Sequence, residues 1–63
     1  MKLWIARDKD RTLTLFQGKP QLSRYDLIWQ ELYNEDSMTI DPFLFPEITF
    51  ENSPQQVEIT LIK

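Results

Sequence analysis

Sixty-three residues without cysteine or histidine make a single domain, residues 1–63, that takes neither a disulfide nor a thiolate metal site and lacks the commonest general base. A chain this short buries only about 60% of its unfolded surface, so its eight aromatic residues must supply much of the core. The net charge of −3 hides a split: residues 1–24 carry six cations against two acids, +4, and residues 25–63 one cation against eight acids, −7.

The first elements are a matched pair of strands, Leu3-Trp4-Ile5-Ala6-Arg7 and Thr12-Leu13-Thr14-Leu15-Phe16, joined through Asp8-Lys9-Asp10-Arg11. The loop reads as a type I turn over Asp8-Lys9-Asp10 with Arg11 in the left-handed region as a bulge. That turn sets Asp8 opposite Thr12, Ala6 opposite Thr14, Ile5 opposite Leu15 and Trp4 opposite Phe16. Because side chains alternate along a strand, Leu3, Ile5, Leu13 and Leu15 share one face, and Trp4, Ala6, Thr12, Thr14 and Phe16 the other. The first face is the expected aliphatic core. The second carries two large rings, too apolar to be left wholly in water.

Gln17-Gly18-Lys19-Pro20 ends the second strand. Ser23-Arg24-Tyr25-Asp26 then matches a capping box, an N-cap serine with an acid three residues on. Tyr25, Ile28, Trp29 and Leu32 follow at i, i+3, i+4 and i+7, so the spacing predicts an amphipathic helix over residues 24–33 with those four side chains buried. Asn34-Glu35-Asp36-Ser37 reads as a loop and Met38-Thr39-Ile40 as a short strand with Met38 and Ile40 inward. Asp41-Pro42 suits the start of a single helical turn, Phe43-Leu44-Phe45, which Pro46 stops. Ile48-Thr49-Phe50 and Val57-Glu58-Ile59-Thr60-Leu61 complete the set as alternating strands.

The order β-β-α-β-β-β predicts an α+β fold: a small antiparallel sheet, the N-terminal hairpin plus C-terminal strands, with one helix packed on a face. The helix stripe would cover the aliphatic face. The face bearing Trp4 and Phe16 would be covered by Phe43-Leu44-Phe45, by a partner, or by a second copy.

Two stretches carry a resemblance. Trp4-Ile5-Ala6-Arg7-Asp8-Lys9-Asp10 with Leu13, and Leu44-Phe45-Pro46-Glu47-Ile48-Thr49-Phe50-Glu51, resemble the opening and the C-terminal part of small orphan proteins carried by gut anaerobes and their phages or mobile elements. That resemblance implies a mobile-element origin and brings no activity, cofactor or ligand. Where the family pattern has a turn glycine, this chain has Arg11.

No constellation points to catalysis. Glu35, Asp36 and Asp41 lack the glycine and the tight loop spacing of a calcium site. Ser23 is accounted for by capping and has no histidine to activate it. No glycine-rich phosphate loop occurs. The expectation is therefore a protein that is not an enzyme, with no catalytic, cofactor-binding or metal residues and no small-molecule substrate. The longest apolar runs, Leu3–Ala6 and Pro42–Pro46, fall far short of the ~20 residues that cross a bilayer. With no apolar signal stretch after Met1, a cytoplasmic accessory protein is expected. It would act through protein–protein contact, its own or a partner's, with Trp4, Phe16 and the Arg7, Lys9 and Arg11 tip as the contact surface. Two alternatives use the same charges. One is a weak nucleic-acid binder on the hairpin face, opposed by a pI near 4.7. The other is an acidic mimic of nucleic acid through residues 31–58.

Overall fold

The computed structural model describes residues 2–32 and 36–58. Its elements are six strands: β1 Lys2–Arg7, β2 Leu13–Phe16, β3 Gln21–Leu22, β4 Trp29–Gln30, β5 Ser37–Ile40 and β6 Gln55–Glu58. Four of them form an antiparallel sheet in the order β5-β2-β1-β6, and β3 and β4 form a second, two-stranded sheet.

The hairpin has the expected register, with Trp4 opposite Phe16, Ile5 opposite Leu15 and Ala6 opposite Thr14. Its turn is closed by Asp8 N donating to Thr12 O (2.8 Å) and Arg11 N to Asp8 O (2.9 Å), and Arg11 stands at φ 80°. The Asp10 carboxylate accepts from Thr12 N (2.9 Å), which holds the bulge without a glycine.

The expected α+β architecture is overturned, because the described residues form strands and no helix. The capping box at Ser23 does start a turn: Leu27 N donates to Ser23 O (3.0 Å), the first bond a helix would make. Leu27 then takes φ 58° and Ser23 N donates to Ile28 O (2.9 Å), so the chain reverses into β4, which sets Leu22 opposite Trp29. In a helix the Trp29 amide would bond the Tyr25 carbonyl; here it donates to Asp8 Oδ1 (2.9 Å). A ten-residue helix is marginal by itself, and in the hairpin the amides of Ser23, Leu27 and Trp29 are satisfied by Ile28 O, Ser23 O and the Asp8 carboxylate. The predicted stripe is correspondingly turned out. Tyr25 is fully exposed, Leu32 and Ile28 are exposed, and only Trp29 is half-buried.

The two covers are also exchanged. Over the aliphatic face lies the segment 41–50, whose Ile48 packs with Ile5 and Leu13 in the buried cluster, joined by Leu15, Ile40 and Val57. Over the ring face lies the segment 17–30: Pro20 is buried, Lys19 Nζ stands 5.5 Å from the centroid of the Trp4 ring, and Ala6 and Phe16 are sealed beneath. Ile48-Thr49-Phe50, expected as a strand, is instead a loop held by Asn52 and Ser53. Thr49 N donates to Asn52 Oδ1 (2.8 Å), Asn52 Nδ2 to Glu47 O (2.8 Å) and the Ser53 hydroxyl to Thr49 O (2.5 Å). In β5, Ile40 reaches the core as expected but Met38 remains 60% exposed. The last strand begins earlier than expected, at Gln55, and its predicted end at Leu61 lies outside the described residues.

Candidate protein-contact surface

Arg7 and Asp8 end β1 side by side, and alternation sends their side chains to opposite faces of the sheet. Arg7 follows Ile5 onto the aliphatic face, where every donor of its side chain meets a backbone carbonyl. Nε donates to Ile48 O (2.5 Å), Nη1 to Arg11 O (3.0 Å) and Pro42 O (2.8 Å), and Nη2 to Leu44 O (3.0 Å) and Phe45 O (3.1 Å). A guanidinium has five N–H groups in a fixed fork, and here each has an acceptor. The backbone amide of Arg7 adds a bond to Ser53 Oγ (2.9 Å). One residue therefore ties the hairpin tip, the loop 41–48 and the turn before β6 together.

Those bonds explain the conformation of the loop. Asp41 starts it as expected, Oδ1 accepting from Phe43 N (2.9 Å) while Leu44 N donates to Asp41 O (3.1 Å). Phe45 adopts φ 50°, a strained value for a bulky residue. Its carbonyl in that position accepts from both Arg7 Nη2 and Ile48 N (2.9 Å). With the loop's carbonyls turned in toward Arg7, its side chains are turned out: Phe43 is 88% exposed, Leu44 49% and Phe45 45%. Between this loop and the hairpin tip runs an open groove of about 370 Å³, bordered by Lys9, Arg11, Phe43 and Phe50.

Asp8 points to the other face and is 6% exposed. Its carboxyl is held above the ordinary value of 3.8, first because burial disfavours the charge; Asp10 and Asp26 nearby add to this, and the Trp29 amide opposes it. Asp10, at the surface, is held below its ordinary value by hydrogen bonds from the amide and hydroxyl of Thr12. The indole Nε1 of Trp29 is buried and has no acceptor among the described residues.

The five residues expected to form the contact surface thus separate. Phe16, 2% exposed, belongs to the core, and Arg7 is committed to holding the loop. Trp4 is half-buried beneath Lys19. Lys9 and Arg11 are exposed at the tip and border the groove. Phe43-Leu44-Phe45 was one of three expected covers for the Trp4 and Phe16 face, beside a partner and a second copy; in the structure all three side chains are exposed. Their signal in the sequence was the run itself: three large apolar residues between Pro42 and Pro46, with no alternation to bury them. Of the three acids considered for calcium, Glu35 lies outside the described residues. No group of metal-binding side chains forms among the described ones.

No protein-family profile, no curated protein and no solved structure matches this chain.

Proposed function

We propose that this is a non-enzymatic accessory protein that works by contact with another protein, through Phe43, Leu44 and Phe45 and the Lys9 and Arg11 tip beside them. The observation that carries the reading is the Arg7 clamp. Exposing three consecutive large apolar side chains is unfavourable for a solvated loop, and this loop is bonded at four of its carbonyls so that they stay exposed. A preorganised loop loses little conformational freedom on docking. Aromatic side chains beside arginine are also what interface centres favour. The two exposed cations select a partner whose apolar contact area is edged by Asp or Glu. The resemblance to mobile-element proteins and the cysteine-free composition support an accessory role in the cytoplasm. No helix among the described residues is long and apolar enough to cross a membrane.

The test is a photo-crosslinking residue placed at position 43 in living host cells, with position 16 as the internal control. A protein adduct formed from position 43, absent from position 16 and lost in Lys9→Glu/Arg11→Glu, supports the reading. Equal labelling at both positions, or an adduct to nucleic acid, overturns it.

A further inference from the structure

The outer strand β5 presents a second surface, independent of the Phe43 loop. In an antiparallel ladder, bonded and non-bonded pairs alternate. Gln17 N donates to Asp36 O (3.2 Å), which makes Leu15–Met38 and Leu13–Ile40 the bonded pairs between β2 and β5. The N–H and C=O groups of Ser37 and Thr39 therefore point away from the sheet, and no strand lies beyond β5 among the described residues. Folded proteins blunt such edges with charge, proline or a bulge. The opposite edge is blunted in that way: β6 is preceded by Pro54 and ends in Glu58. Within β5 itself, Ser-Met-Thr-Ile, there is neither, and its flanking Asp36 and Asp41-Pro42 leave the groups of Ser37 and Thr39 uncovered.

Two further features say what fits there. At the end of β2, reaching from Leu3 across Leu15 to Met38 at the edge, lies a notch of about 170 Å³ also bordered by Asp36 and Ser37, large enough for one apolar side chain. The strand is also bracketed by exposed acids, Asp36 just before it and Asp41 just after. Those acids disfavour a second copy as the occupant. Three antiparallel self-pairings match the outward groups: with Met38 opposite Met38 or Thr39 opposite Thr39, Asp36 of each copy falls one position from Asp41 of the other, and with Ser37 opposite Ser37 the two copies of Asp36 become diagonal neighbours. Acids brought this close repel each other, most of all at low salt. We infer that β5 takes an added strand from a partner protein: an extended segment with an apolar residue facing Met38 and lysine or arginine on both sides of it. Main-chain bonds to Ser37 and Thr39 supply the affinity, and the notch and the two acids supply the selection.

The experiment titrates isotope-labelled protein with a capped peptide, Lys-Lys-Thr-Val-Leu-Val-Thr-Lys-Lys, and with the same centre flanked by glutamates, following backbone amide shifts at low salt. The lysine peptide is expected to move Ser37 and Thr39 most and to bind at least about tenfold more tightly than the glutamate peptide. Thr39→Pro removes an outward N–H without touching the ladder to β2, so it should abolish binding with the fold retained. If that variant fails to fold, N-methylation of the peptide at the positions facing Ser37 and Thr39 gives the same test from the other side. Equal binding of the two peptides overturns the inference. So do shifts confined to Phe43–Phe45, the absence of shifts, and wild-type dimers that Thr39→Pro converts to monomer. Failure here leaves the Phe43 loop reading standing, because Phe43 and position 39 are probed separately.

Discussion

The two segments that cover the sheet are fastened in opposite ways. The segment 41–50 is held by a cation that donates to five carbonyls, and the segment 17–30 by an anion that accepts a single amide. An arginine fork can bind many carbonyls at little desolvation cost, since guanidinium is weakly hydrated and keeps its outer nitrogens near solvent. A carboxylate buried to 6% exposure with one donor is less well matched. The first fastening permits an irregular loop with its side chains turned out; the second sits over a core of Ala6, Phe16 and Pro20 that the rings themselves hold. A segment kept by polar bonds can present apolar side chains, whereas one kept by apolar burial has used them.

The largest expected effect breaks the first fastening. Arg7→Lys replaces a five-donor fork by a point charge with three donors, and should cost roughly 2–3 kcal/mol, less than five separate bonds would suggest because most of them are partly wet. Urea denaturation checks the size, and hydrogen exchange checks the place: protection should fall across residues 42–50 before residues 21–30. Equal loss in both covers would mean that Arg7 stabilises the sheet as a whole.

Next in size is Arg11→Gly, which relieves the positive φ of the bulge and should stabilise by about 0.5–1 kcal/mol in thermal unfolding, with the Arg7 bond to the residue-11 carbonyl kept. An unchanged or lower midpoint would show that the Arg11 side chain compensates for the strain.

On the Asp8 side, Trp29→Phe removes a buried indole N–H that has no acceptor among the described residues while keeping most of the ring. Its cost should stay under about 1 kcal/mol, well short of the loss from Trp29→Ala, which deletes the whole half-buried ring. A loss from Trp29→Phe as large as that from Trp29→Ala would mean that the indole nitrogen is satisfied.

The smallest effect is a slope. Because the folded Asp8 carboxyl binds its proton more tightly than the unfolded one, its contribution is fully present below pH 3.8 and is lost as pH rises through the raised folded value. Asp8→Asn retains an oxygen for the Trp29 amide and removes that loss. Stability of wild type minus variant should therefore fall with rising pH above about 4 and then level off. A difference that rises with pH over the same window would reverse the sign of the Asp8 environment. Asp10 works the other way, its contribution being lost as pH falls.

The hairpin was legible in the sequence because everything that specifies it is local. A four-residue connection, Asp8 and Asp10 to bond its amides, and strict alternation fix the register from Leu3 to Phe16 before any tertiary contact forms. The Asp41 turn was legible for the same reason. Residues 23–32 were not. Their helical spacing is real, and Ser23 makes the first helical bond, but the turn reverses instead of extending where Asp8, twenty-one residues before Trp29, offers that amide an acceptor. The contact surface failed to show for a similar reason. Arg7 reads as an exposed tip residue until four carbonyls from a segment thirty-five or more residues away close around it. Short-range hydrogen bonds and side-chain alternation thus settled the strands and turns, while the pairing of single polar groups across long loops decided which segment covers which face and which rings are left in water.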